Sequence, residues 1–83
     1  MATPVVMPKF GQTMTEGTVV RWEKGVGDLV AKGEVLLRIE TDKSEMEVEA
    51  EVPGRLLRID VPAGTLVPCG TTLAWIGEKG ESL

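Results

Sequence analysis

Residues 35–52 read VLLRIETDKSEMEVEAEV, and this stretch decides the fold. Its first five residues are a compact apolar run, which predicts a strand. After residue 44 apolar and acidic side chains alternate, and that is the period of a strand with one buried face. The apolar positions are Met46, Val48, Ala50 and Val52, and the acidic positions between them are Glu45, Glu47, Glu49 and Glu51. The sequence therefore predicts a β-hairpin with its tip at residues 41–44.

The predicted tip carries one lysine, Lys43, between Thr41-Asp42 and Ser44. Asp and Ser favour tight turns because their side chains bond to nearby backbone amides. Asp42-Lys43 lacks the glycine that a primed two-residue turn prefers, so a type I turn is the better match. We predict that the Lys43 amine is exposed, which makes it a suitable handle for covalent attachment.

The chain also contains an internal repeat. A shift of 37 positions aligns residues 17–40 with residues 54–77 and gives eight identities. The identical pairs are Gly17/Gly54, Arg21/Arg58, Gly27/Gly64, Leu29/Leu66, Val30/Val67, Gly33/Gly70, Leu36/Leu73 and Ile39/Ile76. Each half reads as short apolar strands separated by Gly or Pro turns.

This repeat predicts an all-β architecture. Neither half can bury its apolar face alone, so we expect two antiparallel sheets packed face to face with approximate twofold symmetry. No segment has a helical period, and five prolines with ten glycines disfavour long helices. Equivalent turns then lie at opposite ends of the domain. Lys43, whose counterpart is Gly80, should project from the end away from the termini.

Composition limits the possible functions. A chain of 83 residues predicts a single domain with a small core and little room for an enclosed pocket. The net charge of −4 has the wrong sign for a nucleic-acid phosphate binder. With no histidine and one cysteine, Cys69, the sequence excludes His-dependent nucleophile pairs, an internal disulfide and zinc-thiolate clusters. No apolar run reaches membrane length, so we expect a cytoplasmic location, or the mitochondrial matrix in a eukaryote.

Four motifs in order resemble the lipoyl domain of 2-oxo acid dehydrogenase complexes, within the biotinyl/lipoyl attachment family. They are MPKFG at Met7–Gly11, MTEGTVVRW at Met14–Trp22, GDLV at Gly27–Val30 with Gly33, and IETDK at Ile39–Lys43. The match runs from about residue 5 to residue 77. The resemblance implies a flattened barrel or sandwich of two four-stranded sheets over residues 1–77. Residues 78–83 read as a flexible tail or the start of a linker.

The resemblance implies that Lys43 carries lipoic acid in amide linkage, as the swinging arm of a dihydrolipoyl acyltransferase component. Because an exposed lysine is protonated at neutral pH, attachment would need a lipoate ligase or lipoyltransferase. A 2-oxo acid decarboxylase would reductively acylate the arm, the acyltransferase catalytic domain would pass the acyl group to CoA, and dihydrolipoyl dehydrogenase would reoxidise the arm. The domain itself would be a monomeric, non-catalytic carrier without a metal.

Candidate recognition residues lie on both sides of the tip. The resemblance implies that the loop at about residues 11–16, with Gln12 and Thr13, lies beside the lysine and contributes to recognition. The alternative is a plain connecting loop. Six of the thirteen acids lie in residues 40–51. Among them Glu45 and Glu47 form either a negative patch that steers a basic partner toward Lys43 or a solvated strand face, and both interpretations can hold together.

Two alternative functions stay open. A biotin carboxyl carrier shares the implied fold, but its pattern has methionine on both sides of the lysine, whereas Asp42 and Ser44 flank Lys43. An unmodified sandwich module, such as an adaptor, or a glycine-cleavage carrier, is the second alternative. The substrate of the complex is also open among pyruvate, branched-chain 2-oxo acids, 2-oxoglutarate and acetoin, and MPKF at residues 7–10 leans toward pyruvate or acetoin. Whether the chain is a whole carrier or a fragment of a full acyltransferase is a further open point.

Overall fold

The computed structural model describes residues 2–9, 11–41 and 44–78, and these residues form eight β-strands and no helix. The strands are β1 (Thr3–Val6), β2 (Glu16–Trp22), β3 (Leu29–Val30), β4 (Val35–Glu40), β5 (Glu45–Glu49), β6 (Gly54–Ile59), β7 (Leu66–Pro68) and β8 (Thr72–Gly77). Across this described part of the chain, no helix is long and apolar enough to span a membrane.

The strands form two four-stranded antiparallel sheets. Sheet I has the order β1-β8-β6-β3, and sheet II has the order β5-β4-β2-β7. The 37-residue shift places β2, β3 and β4 on β6, β7 and β8. If β1 and β5 are taken as equivalent too, the strand order of sheet II becomes the strand order of sheet I. The predicted all-β fold with two sheets and quasi-twofold symmetry is therefore confirmed. In the described residues the sheets do not close into a barrel, so the fold is a sandwich.

β-bulges follow the same repeat. The register slips by one residue at Val20 in β2 and at Leu57 in β6, which are equivalent positions. It slips again at Leu36 in β4 and at Leu73 in β8, the second equivalent pair. Each of these two leucines is fully buried together with the residue that follows it. A bulge bends its strand and increases the local twist, so both sheets curve around the core in the same way.

The core between the sheets is apolar, and no polar or charged side chain of the described residues is buried. Its buried members are Met7, Met14, Val19, Val30, Leu36, Leu37, Ile39, Val48, Ala50, Leu56, Val61, Val67, Leu73, Ala74 and Ile76. The half-buried Trp22 of β2 packs against this cluster, and its Nε1–H donates to the Val61 carbonyl oxygen at 2.9 Å. That bond ties sheet II to the segment that follows β6.

The two ends of the described strand framework lie together. Thr3 pairs with Ile76 in sheet I, and Gly77 approaches Gly54 at the start of β6. Gly54 follows the end of β5 that is remote from Thr41. The predicted counterpart of the hairpin tip, Gly80, lies outside the described residues.

We expect Gly54→Ala to lower the free energy of unfolding by about 2 kcal/mol, because the new methyl group overpacks a strand contact. A Cβ at Gly54 would lie 2.8 Å from both the carbonyl oxygen of Gly77 and Cγ2 of Ile76, at a φ of +157°. Urea denaturation measures the loss. Gly25→Ala is the control, since an added Cβ there would meet only Asp28 Oδ2 at 3.7 Å. Equal losses at both positions would contradict the explanation.

Candidate functional site at the β4–β5 hairpin

The ladder between β4 and β5 runs up to the hairpin connection. Its last pair is Glu40 with Glu45. Beyond that pair, the Thr41 N–H donates to the Ser44 carbonyl oxygen at 2.8 Å. The Thr41 hydroxyl donates to the same oxygen at 3.0 Å and accepts from the Ser44 N–H at 3.2 Å. Thr41 therefore holds both sides of the connection together.

The predicted attachment residue follows directly from these anchors in the chain. Asp42 and Lys43, and with them the predicted type I turn, lie outside the described residues. Lys43 is bonded to Ser44, which is exposed and whose hydroxyl contacts Met46 Sδ at 3.5 Å. Turn propensity points to Asp42 and Ser44 and does not single out Thr41 as the side chain that bonds across the connection. The sequence did contain a signal for this role, because a threonine hydroxyl can form hydrogen bonds with backbone groups a few residues away in a turn.

A groove of about 420 Å³ opens beside Thr41. We call it the tip groove, and it is lined by Thr13, Met14, Thr15, Glu16, Gly17, Thr18, Glu40, Thr41 and Leu66. Its walls are the loop before β2, the first residues of β2, the end of β4 and the start of β7. Of the two predicted recognition residues in that loop, Thr13 lies in the groove, whereas Gln12 is exposed and does not line it.

Methionine packing fixes the loop that forms this groove. A Cβ on Gly17 would meet Met7 Sδ at 3.0 Å and Met14 Cε at 3.3 Å, so both side chains rest on the glycine. Both methionines are buried. The Cys69 N–H donates to the Thr15 carbonyl oxygen at 3.0 Å and so ties the loop to the end of β7. The sequence showed Gly17 only as a repeated position, and this packing contact was not predicted.

The cross-strand row nearest the connection spans all four strands of sheet II. Leu66 pairs with Thr18, Thr18 pairs with Glu40, and Glu40 pairs with Glu45. Two carboxylates therefore face each other at the base of the hairpin. Like charges directly opposite destabilise a strand pair, so this row needs a cation close by.

Arg38 of β4 supplies that cation. Its Nη1 lies 3.3 Å from Glu45 Oε1, and its Nη2 lies 2.9 Å from Glu47 Oε2. Its Nε lies 3.5 Å from Glu23 Oε2. The two predicted recognition acids thus share one guanidinium, and each keeps 46% of its side chain exposed. In the sequence Arg38 stands within an apolar run, and nothing in that run reveals its position opposite Glu47 in the ladder.

A second arginine extends this network on the outer face of sheet II. Arg21 donates to Glu23 through Nε at 2.9 Å and through Nη2 at 3.1 Å. These hydrogen bonds, with a smaller contribution from Arg38, hold the pKa of the Glu23 carboxyl below its ordinary value. The repeat equivalents Arg58 and Asp60 form the same pair in sheet I, and hydrogen bonding from Arg58 lowers the pKa of Asp60. Both sheets therefore carry an equivalent ion pair on their outer faces.

Comparison with known proteins gives a consistent set of relatives. A family model described as "Biotin-requiring enzyme" matches residues 3–76. The dihydrolipoyllysine-residue acetyltransferase component of the acetoin cleaving system of Bacillus subtilis is 48% identical over 83 residues, which is 100% of this chain and 21% of that protein. The corresponding component of the pyruvate dehydrogenase complex of Rickettsia bellii is 45% identical over 84 residues, which is 100% of this chain and 20% of that protein.

A solved structure is also similar along its whole length. The solution structure of the lipoyl domain of the 2-oxoglutarate dehydrogenase complex from Azotobacter vinelandii matches with a TM-score of 0.75 and 36% sequence identity. The match covers 93% of this chain and 98% of that one. By contrast, the chain spans only about one fifth of the length of the two acetyltransferase components.

We expect the free energy of unfolding to fall as the pH drops below the ordinary glutamate pKa of 4.5. Because folding lowers the pKa of Glu23, the stability that it contributes is complete above that value and is lost as the carboxylate protonates. Urea denaturation between about pH 6 and pH 3 measures the slope. Glu23→Gln and Arg21→Gln should each flatten it, since each removes one partner. An unchanged slope in either variant would contradict this assignment.

Proposed function

Since this chain belongs to the biotinyl/lipoyl attachment family and is a lipoyl domain, we propose that Lys43 is the residue that carries lipoic acid in amide linkage. The observation that supports the assignment is the β4–β5 hairpin, whose ladder and Thr41–Ser44 bonds leave only Asp42 and Lys43 between the two anchors. The side chain of one other lysine, Lys24, is paired with Glu34 at 2.9 Å.

The described residues around the hairpin fit a lipoyl group. Ser44 and Glu45 are exposed, so a modifying enzyme can approach the connection from the β5 side. Ile39, two residues before Thr41, is fully buried, and its strand β4 lies between β5 and β2 in sheet II. The arm would therefore start from a base that cannot shift without disturbing the core.

The protein chain and the lipoyl group contribute differently to the carrier function. When bound, the lipoyl group supplies a dithiolane that accepts an acyl group together with two electrons. An unmodified lysine has a pKa of about 10.4 and is protonated at neutral pH, so a lipoate ligase or lipoyltransferase must activate it, and this domain is its substrate. Amide formation removes the charge of Lys43. Arg38 meanwhile keeps Glu45 and Glu47 oriented beside the connection.

We propose that residues 1–77 are the carrier domain of a longer dihydrolipoyl acyltransferase and that residues 78–83 begin a linker or tail. The names of the two acetyltransferase relatives and their length support this proposal. The partners are then a 2-oxo acid decarboxylase, the acyltransferase catalytic domain and dihydrolipoyl dehydrogenase. A tethered arm raises its own effective concentration at each of these sites, provided that the linker is flexible. The domain acts as a non-catalytic, monomeric carrier in the cytoplasm, or in the mitochondrial matrix of a eukaryote.

Lipoate is favoured over biotin by the residues on either side of Lys43. Asp42 and Ser44 occupy the two positions where the biotin carrier pattern has methionine. The two relatives described above are dihydrolipoyllysine-residue proteins of acetoin and pyruvate systems. Together with MPKF at residues 7–10, these names support acetoin or pyruvate as the substrate of the complex.

Expression of the chain with lipoate ligase and lipoate should add one lipoyl group, measured by intact mass. Lys43→Gln should abolish the increment and leave the melting temperature almost unchanged, because a lysine predicted to be exposed contributes little to stability. Lys32→Gln, which changes an exposed lysine in another turn, is the matched control and should retain the increment. A missing increment in the parent chain, or one that survives Lys43→Gln, would reject the proposal.

Reversal of the two acids held by Arg38 should slow the decarboxylase. We expect Glu45→Lys with Glu47→Lys to lower the kcat/KM for reductive acylation roughly three- to tenfold at low ionic strength, because a negative patch steers a basic partner. The rate is measured with the lipoylated variant and either a pyruvate decarboxylase component or the component that cleaves acetoin.

The control for this charge effect is Glu49→Lys with Glu51→Lys. It makes the same charge change further from Thr41, and we expect a smaller loss. Melting temperatures check that loss of the Arg38 ion pairs has not unfolded the hairpin. Equal losses in the two double variants would contradict local recognition, and unchanged kinetics in the first would leave the acids as a solvated strand face.

A further inference from the structure

An exposed leucine lies at the far side of the tip groove. Leu66, the first residue of β7, has 56% of its surface exposed. Its repeat equivalent, Leu29 in β3, is 67% exposed. The two leucines occupy equivalent places in sheets II and I, but their surroundings differ. Leu66 lines the groove beside Thr41, whereas Leu29 pairs with Arg55 in the other sheet.

A direct path joins Leu66 to the hairpin connection. Leu66, Thr18 and Glu40 lie in one cross-strand row, and Thr41 follows Glu40. Neighbouring strands are about 4.8 Å apart, so Leu66 lies roughly 10 Å from β4 across the row. A lysine side chain extended by a lipoyl chain can cover that distance. No partner protein is needed to bring such an arm to the groove.

The groove also has the chemistry to receive the arm. Leu66 offers an apolar surface to a dithiolane ring, and the hydroxyls of Thr13 and Thr18 offer partners for polar atoms. The carboxylates of Glu16 and Glu40 lie at the same groove and disfavour a thiolate there. The neutral, oxidised ring is thus the form that fits best.

We propose that the tip groove is a resting site for the lipoyl arm, with the Leu66 side chain as its apolar wall. This inference rests on the proposed attachment at Lys43. Because the arm is tethered beside the groove, even a weak contact is populated through its high effective concentration. Because the groove is open and Leu66 remains partly exposed, the arm leaves readily for a partner. Contact with the groove lowers the solvent exposure of the dithiolane ring but does not hold the ring in one position.

The first test is methyl NMR on the full chain, before and after lipoylation. Intact mass first establishes that the sample is fully lipoylated. The Leu66 methyl resonances should then shift and show NOEs to protons of the dithiolane ring, whereas those of Leu29 should not. Unshifted Leu66 methyls in a fully lipoylated sample would overturn the resting site while leaving attachment at Lys43 intact. A sample without the lipoyl increment would reject the proposed function and the resting site with it.

The second test measures how fast a water-soluble phosphine reduces the ring, followed by alkylation of the released thiols and intact mass. Leu66→Ala should raise the rate roughly two- to fivefold, because removing the apolar wall weakens the contact that shields the ring. Leu29→Ala is the matched control and should leave the rate unchanged. Free lipoamide gives the rate of an unshielded ring. Equal rates for both variants and the parent chain would overturn the proposal.

Discussion

The apolar faces of the two sheets cover one another, and the remaining features of the molecule depend on that contact. Each half of the repeat supplies a surface that it cannot bury by itself, so the halves fold as one unit. The bulges at Leu36 and Leu73 turn consecutive side chains inward at equivalent places. They increase apolar burial and bend both sheets around the core. The rigidity of the hairpin follows from this arrangement, since β4 is a central strand of sheet II.

A rigid central strand gives the hairpin connection a defined origin. Ile39 is locked in the core, and the chain then reaches Thr41, whose backbone and hydroxyl bonds reach across to Ser44. The neighbouring loop is fixed independently, because the side chains of Met7 and Met14 pack closely against Gly17. An arm attached between these supports has a firm base and a shaped surface beside it. That combination suits a carrier whose group must travel while its domain stays folded.

Because the two sheets are related by quasi-twofold symmetry, equivalent positions can be compared, and they differ at the end that carries the hairpin connection. The row Leu66, Thr18 and Glu40 in sheet II corresponds to Leu29, Arg55 and Gly77 in sheet I. One row leads to the proposed attachment site, whereas its equivalent leads to the end of β8. Arg38 shows the same divergence, since its equivalent in sheet I is a tryptophan. The shared positions maintain the fold, and the differing ones adapt one end to its function.

Sequence alone determined the strand pattern, the repeat and the hairpin that contains Lys43, because side-chain alternation and glycine spacing are local properties of the chain. Arg38 contacts acidic residues on the neighbouring strand β5 and beyond the end of β2. Met7 packs on Gly17, which lies ten residues further along the chain. Nor does an alternating pattern reveal a bulge, because one extra residue changes which side chains face inward. Only tertiary packing decides these features, since it brings together groups whose distances no local pattern specifies.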